Sequence, residues 1–215
     1  MNYADFWAYY GDGLLAQMAD HFLVVITAAT IGAGAGLAAS AVAYRSDRAS
    51  ELLIKLCNTL LTIPSLALYV LLLGWLGLGW PPVLVALTLY SLLPVVQNAI
   101  VGLRGVDPAI VESARGIGMS TVTCLRRVEL PLAWPVILTG IRVSAAMLVT
   151  AATIGAVVLG PGLGNPIYTG LKSMGTPSAL YFVLTGIAGV ILVGLTINLA
   201  LGLAGRLTVS RGIRD

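Results

Sequence analysis

Residues 22–44 read FLVVITAATIGAGAGLAASAVAY, and residues 82–103 read PVLVALTLYSLLPVVQNAIVGL; neither run contains a charged side chain. Each meets the ~20 residues that an α-helix needs to cross the ~30 Å hydrocarbon core of a bilayer. The runs are continuously apolar and do not alternate, which excludes the strands of a membrane β-barrel. Three further stretches of the same kind lie at 56–76, 135–159 and 178–205. The last is longer than a perpendicular crossing requires, so it is expected to tilt or to extend past the lipid. The expected fold is all-α and polytopic, with about five transmembrane helices.

Composition agrees. Of the 215 residues, 58% are hydrophobic and 10% are charged, against about 25% charge in a soluble globular domain. The net charge of +3 does not indicate nucleic acid, because the basic residues are scattered singly between apolar segments and form no continuous face. Cys57 falls in an apolar span and Cys124 in a loop, which implies no disulfide framework. His21, the one histidine, has no His or Cys neighbour in sequence, so no metal site is expected. The N-terminal MNYADFWAYYGD lacks the basic region of a cleaved signal peptide and is expected to remain on the mature protein. No G-x-x-x-x-G-K-[ST] phosphate loop is present. With no Ser–His or Cys–His set either, the chain is not expected to be an enzyme.

Lysine and arginine placement predicts the orientation. Arg45, Arg48, Lys55, Arg104, Arg115, Arg126, Arg127, Arg142, Arg206, Arg211 and Arg214 fall on one side and only Lys172 on the other, where Asp5, Asp12 and Asp20 also lie. The N-terminus is therefore expected outside and the C-terminus in the cytoplasm, with five crossings. Trp75, Trp80, Tyr181 and Phe182 are expected as outer interfacial anchors, and Tyr44 and Trp134 as inner ones.

Gly32 and Gly36 form a G-x-x-x-G pair suited to close helix packing, either within the chain or between subunits. Pro64 and Pro94 fall inside spans two and three, where each should kink its helix. No Asp or Glu lies within a span, which argues against a proton- or ion-coupled carrier. Asn58, Thr62, Ser65, Tyr90, Thr150 and Thr153 are the candidate lining of a polar pathway; each can equally serve an interhelical hydrogen bond. Tyr90 is the best placed for cation–π contact with a quaternary ammonium group. Arg142 is expected to snorkel to the cytoplasmic surface or to pair with a loop carboxylate.

The informative connection is 107–131, between spans three and four. Asp107 is a good N-cap and Pro108 a good first helical residue. Ile110, Val111, Ala114 and Ile117 form an apolar stripe, and Gly118 can close the helix in a left-handed turn. Ser120 can cap a second short helix carrying Val122, Leu125 and Val128, which Pro131 is expected to end. A pair of helices this short and this apolar suits docking to a partner.

Glu112-Ser113-Ala114, three residues, Gly118, nine residues, Val128, one residue, Leu130-Pro131 resembles the "EAA" loop of bacterial ATP-binding cassette importer permeases. Ser113 and Val128 are the departures, standing where that pattern has Ala and Ile. The resemblance implies the type I importer permease fold and a single permease domain over 1–215, with 107–130 as its cytoplasmic coupling loop. Glu112, Ser113, Ala114, Gly118, Val128, Leu130 and Pro131 would then meet the ATPase. It implies the bacterial cytoplasmic membrane as location. It also implies cytoplasmic ATP-binding cassette subunits that use ATP and Mg, so that no cofactor is bound by this chain. A second permease copy or homologue and an extracytoplasmic substrate-binding protein complete the expected partners.

Thr62-Ile-Pro-Ser-Leu-Ala-Leu68, Tyr90-Ser-Leu-Leu-Pro94 with Asn98, Gly140-Ile-Arg142, and Ala152-Thr-Ile-Gly-Ala156 leading to Leu159-Gly-Pro-Gly-Leu-Gly164 are similar to osmoprotectant permeases, with Pro161 a departure. That similarity implies glycine betaine, choline, carnitine or proline betaine as cargo, with the binding protein a separate polypeptide. Other readings are an importer permease for another small solute such as an amino acid, or an ATP-independent channel.

Overall fold

The structure, a computed structural model, describes residues 2–208, and every regular element among them is helical. In chain order these are α1 (Tyr3–Ala43), α2 (Asp47–Thr62), α3 (Ser65–Leu76), α4 (Trp80–Arg104), α5 (Pro108–Gly116) and α6 (Thr121–Cys124). A π turn (Leu125–Glu129), α7 (Leu130–Ile154), a 3-10 turn (Gly155–Val158), α8 (Gly164–Lys172) and α9 (Ala179–Thr208) follow. Four helical runs are long and apolar enough to cross a membrane: α1, α4, Thr121–Val158 and α9. The bent pair α2 and α3 makes a fifth if taken as one span.

α1 begins at Tyr3, well before the expected Phe22. Asn2 accepts from the Asp5 N–H (2.8 Å) and Asp5 Oδ2 accepts from the Asn2 N–H (3.2 Å), a reciprocal capping box that starts the helix. At 41 residues α1 is about 60 Å long, twice the apolar thickness of a bilayer. Its acidic first half packs through aromatic rings on the start of α9: Phe6 meets Phe182 edge-on at 4.9 Å and Tyr3 meets Tyr181 at 5.4 Å. Tyr181 and Phe182 are thus packing residues as well as candidate anchors, whereas Trp75 stands 87% exposed.

α4 is the central helix, packed by α1, α2, α3 and α7. The glycine pair of α1 faces it. A Cβ on Gly32 would overlap the Ser91 hydroxyl, and one on Gly36 would sit 2.8 Å from Val95 Cγ1. The G-x-x-x-G seam is therefore intramolecular. One apolar cluster fills the half of the bundle around Val25, Leu87 and Leu148, and a second the half around Leu103, Ala133 and Ile137.

Hydrogen bonds define two poles. At one, Arg104 Nε donates to Tyr44 O (2.7 Å) and Trp134 Nε1 to Thr208 Oγ1 (2.8 Å). At the other, the Gly79 N–H donates to Val158 O (2.9 Å) and Tyr3 meets Thr185 (3.4 Å). The first pole collects Arg45, Arg48, Arg104, Arg115, Arg126, Arg127 and Arg206, whereas Lys55 lies two turns along α2 and Arg142 three turns into α7. Arg211 and Arg214 lie outside the described residues.

The two prolines behave differently. Span two is broken rather than kinked: α2 and α3 meet at 92°. Ile63 is extended, with ψ at 124°, because the ring of Pro64 disfavours helical backbone in the residue before it. Pro94 lies within a single helix, where Asn98 Nδ2 donates to its carbonyl (2.8 Å). An unforeseen short helix, α8, occupies the connection before α9 and packs along it.

Candidate functional site

Asp107 caps α5 through Oδ1, which accepts from the Ala109 N–H (2.8 Å). Gly118, at φ 91°, closes it. The Gly118 N–H donates to Arg115 O (2.9 Å) and the Met119 N–H to Ala114 O (3.2 Å), the paired bonds of a Schellman cap that require a left-handed residue here. Val111 and Ala114 turn inward. Ile110, Glu112, Ser113 and Ile117 point away from the bundle, Ile117 with 77% of its surface exposed, and Val122 on α6 is exposed beside them. Exposed apolar side chains grouped around a carboxylate at a charged pole have the character of an interaction surface.

The second half of this segment corrects the sequence reading. Pro131 does not end a helix. α6, the π turn and α7 run on as one helical rod from Thr121 to Val158. A proline inside a helix lacks a backbone N–H and crowds the carbonyl four residues back. Here the π turn, with the Leu130 N–H donating to Leu125 O, takes up the register change before it. Val128 and Leu130 are half-buried, and Leu130 packs on the inner apolar cluster. They belong to the base of span four rather than to a free loop; Pro131 is exposed on the same rod.

At that base lies a residue the sequence reading passed over. Glu129 is 3% exposed. Its Oε1 accepts from Arg45 Nη2 (2.7 Å) and its Oε2 from the Tyr44 hydroxyl, which in turn accepts from Arg45 Nε. Tyr44 is consequently buried and is not an interfacial anchor. Arg104 reaches the same turn from α4. Besides Tyr44 O it contacts Ser50 Oγ (3.1 Å) and Asp47 Oδ1 (2.9 Å). Among the described residues Arg142 meets no loop carboxylate. It donates through Nη2 to Leu201 O (3.0 Å) on α9.

The candidate pathway residues separate into two groups. Thr62 and Ser65 flank the α2–α3 break, and the Tyr90 hydroxyl reaches it by donating to the Ile63 carbonyl (2.8 Å) that the missing helical turn leaves open. Asn58 lies one turn earlier on α2. Thr150 and Thr153 lie on α7, one turn apart, and Thr153 Oγ1 donates to Thr150 O (2.7 Å). Tyr69, whose hydroxyl donates to Ala151 O (2.9 Å), draws α3 toward them. Asn58, Thr62 and Thr150 are exposed in the single chain, Ser65 and Thr153 half-buried, and Tyr90 buried.

His21 ties three elements together. Its Nδ1 accepts from the Leu163 N–H (3.3 Å), so its Nε2 carries the proton and donates to Val149 O (3.1 Å). Gly162, at φ 107°, lies against the ring with no room for a Cβ. Asn165 Nδ2 donates to Gly160 O (2.8 Å) and Gly162 O (3.0 Å). The Leu159–Gly164 stretch is thereby pinned across α1 and α7.

Residues 30–208 match the family described as binding-protein-dependent transport system inner membrane component. The chain is 34% identical over 209 residues to the carnitine transport permease protein OpuCB of Listeria monocytogenes, covering 95% of this chain and 92% of that one. It is also 34% identical over 207 residues to the choline transport system permease protein OpuBB of Bacillus subtilis, with the same coverage. Among solved structures, an inward-facing MetNI methionine ABC transporter chain superposes with a TM-score of 0.79 at 18% identity, over 98% of this chain and all of that one. A chain of an amino acid ABC transporter crystallised with histidines gives 0.71 at 23% identity, over 96% and 98%. These two likenesses concern the fold.

Proposed function

The chain belongs to the binding-protein-dependent transport inner membrane component family, and from that membership we propose that it is the permease subunit of an ATP-driven importer of small osmoprotectants. Carnitine, choline and glycine betaine, the cargoes in the names of its relatives, are the proposed substrates. The observation that carries the reading is the outward face of α5 and α6 at the arginine-rich pole, where Ile110, Glu112, Ser113, Ile117 and Val122 stand exposed beside the Gly118 turn.

That pole is proposed to be cytoplasmic and the aromatic pole external, with the N-terminus outside and the C-terminus inside; the arginine distribution supports this. The face of α5 and α6 is the proposed seat of a separate ATPase, which binds the nucleotide and Mg. A docking contact shifts a transport equilibrium only by its differential affinity for the two states, so the ATPase must grip the closed form differently from the open one. The exposure of Asn58, Thr62 and Thr150 supports a pathway completed by a second permease copy or homologue, to which an external binding protein delivers cargo. Thr62 and Ser65 would line it at the α2–α3 break, with Thr153 behind Thr150 and Tyr90 as brace. Residues 1–215 would act as one permease domain.

The test is uptake of radiolabelled carnitine, choline and glycine betaine into vesicles holding the permease, its ATPase and its binding protein. Glu112→Lys and Gly118→Trp should each abolish ATP-dependent uptake while the permease still inserts and is recovered at normal yield. Normal uptake by both variants sinks the coupling role, and failure to take up any of the three solutes sinks the substrate class.

A further inference from the structure

Besides apolar packing, charged side chains tie the docking segment to the bundle at two places, both on the 44–50 stretch where α1 gives way to α2. Arg104, at its entry, reaches Tyr44 O, Ser50 and Asp47; Glu129, at its exit, is gripped by Tyr44 and Arg45. Residues 44–46 join α1 to α2, whose first turn carries Asp47 and Ser50 and which breaks from α3 at Ile63 and Pro64. We propose that this stretch is the segment's anchor to the first two helices, with Glu129, Arg45 and Tyr44 as positioning residues that pass its displacement to α1 and to the broken span. The inference rests on the coupling role proposed above.

Three features carry it. Glu129 is a carboxylate with 3% of its surface exposed, and such a group is held in place only when its charge is matched by close donors. It has two, both from the 44–45 turn. The Arg104–Asp47 pair is different: Asp47 is almost wholly exposed, and such a pair contributes little by itself. Arg104 also holds Tyr44 O and Ser50 Oγ, but the grip at Glu129 is the one built on a buried charge. The third feature is the π turn that ends at Glu129. Each helical residue advances roughly 100° around the axis, so the extra residue in the turn decides whether Glu129 faces Arg45 or turns away. Turns of this kind recur at functional positions in helices.

The test uses the assembled importer in vesicles, with ATP hydrolysis and uptake of labelled carnitine, choline and glycine betaine measured on the same preparation. Glu129→Gln should lower uptake per ATP hydrolysed by about tenfold, within the usual range of coupling between sites, with hydrolysis close to the unmodified rate. Tyr44→Phe, the gentler lesion, should lower the same ratio by a smaller factor and decides the matter if Glu129→Gln fails to assemble. Combining R45E with E129R should recover the ratio lost in either alone. The proposal is overturned if the ratio is unchanged in both single variants, or if uptake and hydrolysis fall in step, as loss of a mere structural staple would produce. Glu112→Lys and Gly118→Trp run alongside. If they abolish uptake while the Glu129 and Tyr44 variants couple normally, only the anchor is wrong; if they too have no effect, the coupling role has failed.

Discussion

Replacing Gly118 by alanine isolates the backbone cost of the α5 cap. Gly118 sits at φ 91°, and an added Cβ would meet nothing within 4 Å. Steric overlap therefore contributes nothing, and what remains is the penalty of a left-handed L-residue, about 1–2 kcal/mol. That penalty weakens the Schellman pair, in which the Gly118 N–H donates to Arg115 O and the Met119 N–H to Ala114 O. At about 1.4 kcal/mol per factor of ten, the cap should open roughly 5–30 times more often. Hydrogen exchange reads this directly, because the rate at a protected amide follows its opening equilibrium. The peptide spanning 112–122 should exchange faster by that factor at residues 118 and 119, with the α4 amides unchanged. Gly118→Trp carries the same backbone penalty and also places bulk on the outward face, so only the tryptophan variant should abolish uptake outright. Unchanged exchange in Gly118→Ala would refute the strain argument, and equal transport by the two variants would refute the claim that a partner sits on this face.

Two further outcomes test the packing. Gly36→Ala should destabilise the bundle by about 1–3 kcal/mol, the usual cost of overpacking, because Val95 stands 2.8 Å from the new carbon. Gly34→Ala, with nothing within 4 Å, should be near neutral, and thermal unfolding in detergent compares the two. Tyr90→Phe should cost about 1–3 kcal/mol by leaving the Ile63 carbonyl unpaired. The same assay reads it, and an unchanged midpoint would mean that the hydroxyl does not brace the break.

The spans were legible because a bilayer demands uninterrupted apolar length, and the runs from Phe22 and from Pro82 supply it. What lay outside the apolar core was harder to read. The first half of α1 mixes Asp5 and Asp12 with aromatic residues, so hydropathy alone stops at Phe22, although Asn2 and Asp5 spell a capping box. The docking helix α5 was readable from Asp107, Pro108 and Gly118, each of which has a local backbone reason for its position. Pro131 misled because a proline read as a terminator can be carried inside a rod when a π turn directly precedes it, and a π turn has no composition signature. Tyr44 and Glu129 were invisible as a pair because 85 residues separate them. The one available clue was a lone carboxylate set between Val128 and Leu130. The sequence marked Tyr90 as a candidate lining residue, but its hydroxyl serves the backbone at the break, a role that only the 92° bend at Ile63 and Pro64 reveals.

The unbroken length of α1 has a mechanical consequence. It is fastened at one tip through Tyr3 and Phe6 to α9 and at the other through Tyr44 to Glu129. A stiff lever about 60 Å long moves its far tip by about 1 Å for each degree of tilt. A small rotation imposed beneath the membrane would thus be felt on the opposite surface, with no chain of side chains needed to carry it between.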